Sequence, residues 1–70
     1  MESVYNVIEL IGTSNQSWEQ AAVNAVNEAS RTLSDLRVAE VVEQDMVIED
    51  GQVVLFRSKV RLSFKHDSLG

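Results

Sequence analysis

The stretch VVLFRSKVRLSFK, residues 53 to 65, decides the fold of this chain. Its apolar side chains alternate with Arg and Lys, and strict alternation is typical of a strand that buries one face against a core. The preceding stretch, VAEVVEQDMVIED at 38 to 50, is acidic where this one is basic. Because Asp50-Gly51 joins the two stretches, the sequence predicts an antiparallel hairpin of two long strands, from about 37 to 49 and from about 53 to 65.

Two registers of this hairpin are open, and a slip by one residue would exchange the faces of a strand. A two-residue turn would place Gln44 opposite Arg57. A three-residue loop would place Asp45 opposite Arg57 and Glu43 opposite Lys59, and opposite charges across strands stabilise a sheet. The other pairs of that register would be Glu49 with Val53 and Val42 with Val60. We favour the three-residue loop because it also leaves one face nearly all apolar.

Upstream of the hairpin, the pattern predicts one strand and one helix. Residues 4 to 11 are rich in β-branched and aromatic side chains, which is typical of a strand, and Gly12 is expected to end it. Residues 16 to 34 predict an amphipathic helix, with Thr13 or Ser14 as its cap. The apolar positions of this helix are Trp18, Ala21, Ala22, Ala25, Val26, Ala29 and Leu33. The expected order is β-α-β-β.

The size of the chain predicts self-assembly. Seventy residues make one α+β domain, 1-70, and so short a chain buries too little surface to be robust alone. It has no cysteine, so disulfides cannot compensate, and oligomerisation is the usual remedy. A three-stranded antiparallel sheet wrapped around one helix would have only one covered face. We therefore expect its other face, with complementary charges and apolar side chains, to contact further copies of the chain.

Charge and hydropathy exclude several classes of partner. The net charge is −5, from six Lys and Arg against eleven Asp and Glu, which argues against a nucleic-acid-binding protein. The N-terminal stretch MESVYNVIEL lacks the basic and apolar regions of a signal peptide, and no apolar run is long enough to cross a membrane. The sequence therefore predicts a soluble, cytoplasmic protein without a membrane partner.

Carboxylates are the chain's best candidate metal ligands. The densest group on one predicted strand comprises Glu40, Glu43 and Asp45. Copies related by symmetry could bring such carboxylates together around calcium or magnesium, which bind oxygen ligands. The competing interpretation, which we favour at this level, is cross-strand ion pairing with the cations of the third strand.

No side chains suggest catalysis. The single histidine, His66, follows the last predicted strand in the tail HDSLG, where fraying is expected, and has no obvious partner. No pair of nucleophile and base is evident, so we do not expect an enzyme. Trp18 lies on the apolar stripe of the helix, where packing is favoured over ligand stacking.

These elements resemble the dodecin family over nearly the whole chain. The matching segments are VYNVIELIGTS at 4–14, SWEQAAVNAV at 17–26, ASRTLSDLR at 29–37, AEV at 39–41, the EDGQV turn and VRLSF at 60–64. The resemblance implies a β-α-β-β subunit that assembles, by way of trimers, into a hollow homododecamer.

The resemblance also implies a ligand, because many dodecins bind flavins such as FMN or riboflavin. In those proteins, isoalloxazine rings stack between tryptophans and a glutamine on the third strand binds the ring. Those two positions match Val38 and Arg57 here. Val38 has no π face for stacking, and Arg57 brings a fixed charge. Gln44 is nearby in the pattern and could offer an amide to the ring.

Two functions follow from the resemblance. The first is sequestration and storage of a flavin in a dodecameric shell, weakened by Val38 and Arg57. The alternative is a flavin-free dodecin that binds calcium or another divalent cation, or a purely structural shell. The segment RVAEV resembles a subgroup for which calcium binding has been proposed, and Glu43 matches an acidic position near metal in the family. Under the alternative, Glu43 and Asp45 are the expected ligands.

Overall fold

The computed structural model describes residues 2–65, so the predictions for His66 and the tail lie outside the described residues. The strands and the helix follow in the order β1 (Tyr5–Ser14), α1 (Trp18–Ser30), β2 (Leu36–Glu49) and β3 (Gln52–Lys65). Strand β3 lies in the middle of one antiparallel sheet with the order β1-β3-β2. The predicted α+β class and β-α-β-β order are confirmed.

A two-residue turn closes the hairpin. Asp50 and Gly51 have positive φ angles of 52° and 75°, and Glu49 pairs with Gln52. Two consecutive residues with positive φ are typical of a tight turn whose twist matches the flanking strands. The preferred three-residue loop was therefore wrong at the turn itself.

Farther from the turn, the pairing of β2 with β3 has three register shifts, at Val47/Ile48, at Val41/Glu43 and at Leu36/Val38, and the first two decide the predicted pairs. The first lies between Val47 and Ile48, and beyond it Asp45 faces Arg57 and Glu43 faces Lys59. Those two ion pairs were predicted from the three-residue loop and are confirmed, although a bulge rather than the loop produces them. The second bulge leaves Val60 opposite Val41, so the predicted Val42–Val60 pair was wrong.

Helix α1 crosses the sheet very close to Gly12. The expectation that Gly12 ends β1 was wrong, because the strand continues to Ser14. Gly12 is buried, and a Cβ atom at this position would overlap the main-chain carbonyl of Ala21 and lie 3.0 Å from the nitrogen of Ala25. The glycine is therefore needed for close packing of the helix on the strand.

The helix is shorter than predicted at both ends. Its N-cap is Ser17, whose hydroxyl accepts from the Gln20 N–H at 2.9 Å, so neither Thr13 nor Ser14 caps it. The Ser14 hydroxyl instead accepts from the Gln16 N–H at 2.9 Å and orders the connection. After Ser30 the chain leaves the helix through a turn.

The core lies between α1 and the faces of β1 and β3 that point toward it. Its buried members are Ala25, Ala29, Val60 and Leu62, and its half-buried periphery comprises Ile8, Leu10, Ala22, Val26, Leu33 and Leu36. Strand β2 receives little cover from the helix, so Val41, Met46 and Ile48 stay exposed. In the described part of the chain, α1 is too short and too polar to cross a membrane.

Candidate functional site

The sheet face that points away from α1 carries a ladder of charges, and we call it the open face. On the central strand β3 its members are Arg57, Lys59, Arg61 and Ser63. On β1 they are Val7, Glu9, Ile11 and Thr13, and on β2 they are Val38, Glu40, Glu43 and Asp45. Alternation along each strand puts the cations of β3 in the middle row with carboxylates on either side. The predicted cross-strand ion pairing is confirmed.

Asp45 and Arg57 form the best-defined pair on the open face. The Arg57 Nε donates to Asp45 Oδ1 at 2.6 Å, and Nη2 donates to Oδ2 at 2.7 Å. Both carboxylate oxygens are therefore engaged in a two-point contact that a lysine could not reproduce. The pair lies at the surface, since the Asp45 side chain is 52% exposed.

The other carboxylates are held more loosely. Lys59 Nζ lies 3.2 Å from Glu43 Oε1, and the Glu43 side chain is 69% exposed. Arg61 donates to Glu9 at 2.9 Å and lies 3.6 Å from Glu40. Glu43 is thus the open-face carboxylate with the greatest access to solvent.

The Arg57–Asp45 contact shifts both ionisation equilibria in favour of the ion pair. Hydrogen bonds from Arg57 lower the pKa of the Asp45 carboxyl below its usual value; desolvation opposes them, and the charges of Arg57 and Lys59 add to the lowering. Hydrogen bonding from Asp45 raises the pKa of Arg57. Asp45 therefore stays ionised to lower pH than an isolated aspartate.

This shift predicts a pH dependence of stability. Because the folded pKa of Asp45 is lowered, its contribution is present above the unfolded value of about 3.9 and is lost as the pH falls through the folded value. We expect Asp45→Asn to lower the thermal midpoint at neutral pH and to match the wild type in strong acid. Thermal unfolding from pH 7 to pH 2 at one protein concentration measures this. The control is Glu28→Gln, on the helix, whose thermal midpoint should not approach that of the wild type in this way as the pH falls. A difference between Asp45→Asn and the wild type that stays the same at every pH would contradict the prediction.

A small cavity opens beside this pair. It has a volume of about 100 Å³ and is lined by Ile11, Glu43, Asp45, Arg57 and Lys59. Pockets for drug-sized ligands measure roughly 300–1,000 Å³. Within one chain, the cavity has room for an ion with a few waters and not for an isoalloxazine ring system.

Trp18 contacts the same region from the opposite side of the sheet. Its indole N–H donates to the main-chain carbonyl of Asp45 at 2.9 Å, and its ring packs edge-on against Phe56 with centroids 5.1 Å apart. The expected packing of Trp18 is therefore seen, against Phe56 of the central strand. Its link to the main chain of Asp45 was not foreseen.

The three residues predicted to bind a flavin do not converge within one chain. Val38 lies on the open face opposite Ser63, six residues along β3 from Arg57, or about 20 Å. Gln44 lies opposite Ser58 on the side that faces the helix. A flavin site built from Val38 and Arg57 would need more than one copy of the chain, and the roles of these residues stay predictions.

One member of the charge ladder was missed from the sequence. Glu9 receives two hydrogen bonds from Arg61, whereas only the carboxylates of β2 had been considered. The signal was available, because Glu9 alternates with Val7 and Ile11 and so shares their face.

The described part of a single chain does not provide a complete metal site. Within residues 2–65, no three His, Cys, Asp or Glu side chains are grouped so that they could hold an ion. Calcium requires six to eight oxygen ligands. Glu43 and Asp45 lie on the same face two residues apart, but Lys59 and Arg57 neutralise them. Further oxygens would have to come from other copies or from water.

Known proteins resemble this chain in both fold and sequence. The family model described as Dodecin matches residues 4–67. The chain belongs to the dodecin family. This dodecin is 51% identical over 63 residues to the calcium dodecin of Mycobacterium tuberculosis (strain ATCC 25618 / H37Rv), a match that covers 90% of this chain and 89% of that protein.

Solved dodecin structures have the same fold. The structure of the calcium dodecin from Mycobacterium tuberculosis, described as calcium chelating with a novel calcium-binding site, is 47% identical with a TM-score of 0.83 and covers 97% of both chains. The dodecin from Streptomyces coelicolor is 41% identical with a TM-score of 0.87, covering 91% of both chains. The sequence match and the structural matches together show the fold and the family of this chain.

Proposed function

We propose that this dodecin binds calcium, or a related divalent cation, as a self-assembled shell of twelve copies. The observation that carries the proposal is the 51% identity, over 90% of the chain, to a protein named calcium dodecin. The calcium alternative drawn from the sequence is thus supported better than flavin storage. Calcium suits the site better than magnesium, because it accepts irregular sets of carboxylate and water ligands.

The residues of the open face support a cation more than a flavin. Val38 offers no aromatic ring, and Arg57 is occupied by both oxygens of Asp45. The cavity beside that pair fits an ion with its waters. Glu43 is the most exposed carboxylate of the ladder and the one most readily shared with a neighbouring copy.

Assembly completes the proposed site. In one chain, Glu43 and Asp45 are balanced by Lys59 and Arg57, so the local charge is close to zero. A divalent cation gains most where carboxylates from several copies meet. The open face also exposes Val7, Ile11 and Val38, and apolar side chains of this kind are covered where subunits meet. Residues Glu43 and Asp45 would hold the ion, and the neighbouring copies would supply the remaining oxygens.

Calorimetric titration with calcium chloride tests this proposal. We expect the wild type, at twelve times the chain mass by light scattering, to bind calcium. The double variant Glu43→Gln and Asp45→Asn should assemble and bind calcium at least about a hundredfold more weakly, because each change removes a full charge next to a divalent ion.

The control for this experiment is Glu28→Gln, which removes the charge of the exposed carboxylate that pairs with Arg31. It should titrate like the wild type. A wild-type assembly that ignores calcium would support a purely structural shell instead. Yellow colour between 350 and 500 nm, retained through purification, would support the flavin function.

A further inference from the structure

Helix α1 has few contacts with the edge strand β2. The helix packs mainly on β1 and β3. In residues 2–65, the hydrogen bond that joins α1 to β2 runs from the Trp18 indole N–H to the carbonyl of Asp45, at 2.9 Å. Strand β2 pairs with β3 on one side only, so this bond adds a restraint from the helix to an edge strand.

Trp18 is itself held firmly. The Ser58 hydroxyl donates to the Trp18 carbonyl at 2.8 Å, and Ser58 is completely buried. The indole ring meets Phe56 at an interplanar angle of 69°, an edge-to-face arrangement that stabilises aromatic pairs. Phe56 and Ser58 both belong to the central strand. The indole N–H therefore projects toward β2 from a position fixed by β3.

We propose that Trp18 is a positioning residue that holds the main chain of Asp45 so that its carboxylate stays fixed beside Glu43 on the open face. This inference rests on the proposed cation site. An aspartate has only two side-chain torsions, so fixing its main chain leaves little freedom to its carboxylate. Trp18 binds the main chain from one side of the sheet and Arg57 binds the carboxylate on the other. Trp18 itself does not contact the ion.

Position 18 needs a hydrogen-bond donor and not merely a large side chain, because the Asp45 carbonyl accepts from it. Phenylalanine would preserve the packing on Phe56 and would leave the Asp45 carbonyl without the indole N–H. Partners that orient metal ligands in this way are worth about ten- to a hundredfold in metal affinity. Trp18→Phe therefore isolates the hydrogen bond from most of the packing.

The test compares Trp18→Phe with Phe56→Leu in the assembled protein. Phe56→Leu removes the ring contact and keeps the indole N–H, so it separates the loss of packing from the loss of the hydrogen bond. We expect Trp18→Phe to weaken calcium binding by about tenfold in calorimetry, and Phe56→Leu, which loosens the indole but keeps its N–H, to weaken it by less than about threefold. Both variants should lower the thermal midpoint.

A second measurement reads the position of Asp45 without calcium. The Arg57 Nε–H is bonded to Asp45 in the wild type, and its NMR signal should be protected from exchange with water. We expect this signal to persist in Phe56→Leu and to be lost in Trp18→Phe. A protected signal in Trp18→Phe, or equal calcium affinity for Trp18→Phe and wild type, would overturn the inference. If the wild type binds no calcium, the proposed function fails, and the Arg57 signal still decides whether Trp18 positions Asp45.

Discussion

Substituting Gly12 by alanine is expected to destabilise the protein by about 3 kcal/mol or more, which is toward the upper end of the cost of overpacking. The new Cβ would overlap the carbonyl of Ala21, a main-chain atom that cannot rotate away. Either α1 lifts from β1 or the strand bends, and both open the contact between the helix and the sheet. Urea unfolding at a fixed chain concentration, followed by the fluorescence of the only tryptophan, Trp18, measures the loss.

Gly51→Ala is the matched control for this substitution. Gly51 has a positive φ of 75°, and an added Cβ there meets nothing within 4 Å. The cost should therefore be only that of a left-handed alanine, about 1–2 kcal/mol. Equal losses in Gly12→Ala and Gly51→Ala would show that the close approach of the helix is not what requires Gly12.

The double substitution Val38→Trp and Arg57→Gln is expected to give a yellow protein that binds FMN or riboflavin at least about a hundredfold more tightly than the parent. These are the positions that the resemblance to flavin-binding dodecins assigns to the ring-stacking tryptophan and to the glutamine. Stacking on an aromatic ring contributes roughly 1–3 kcal/mol, and a hydrogen bond about 1 kcal/mol more. A sum near 3 kcal/mol corresponds to about a hundredfold in affinity. Quenching of flavin fluorescence during titration measures it.

Val38→Leu combined with Arg57→Gln is the control for the gain of binding. It removes the charge and enlarges the side chain without adding a π face, so it should remain colourless. If the tryptophan variant also stays colourless while forming the same assembly, the identity of these two positions does not account for flavin binding in this chain.

The sequence alone was enough to predict the fold because its patterns are local. Alternation in residues 53 to 65 defines the two faces of β3, and the alanines of α1 define its buried stripe. The pairing of Asp45 with Arg57 and of Glu43 with Lys59 followed from opposite charge. Each of these inferences needs only the spacing of apolar residues along the chain or the signs of two charges.

The remaining features depend on contacts between distant segments. Gly12 looked like the end of a strand, and only the passage of Ala21 above it shows that the glycine is needed for packing. The bond from Trp18 to Asp45 joins residues 27 positions apart and has no signature in the sequence. The bulge at Val47 and Ile48 likewise has no marker such as glycine, so in the sequence the turn and the ion pairs require different registers.

That bulge limits how the hairpin can change in length. It shifts one strand by a single residue, and this reconciles the tight turn at Asp50-Gly51 with the pairing of Asp45 and Arg57. Deleting or inserting one residue between the bulge and the turn would turn the carboxylates of β2 toward the helix, whereas a change by two residues would keep them outward. Length variants of this hairpin that preserve its charge ladder should therefore differ by even numbers of residues.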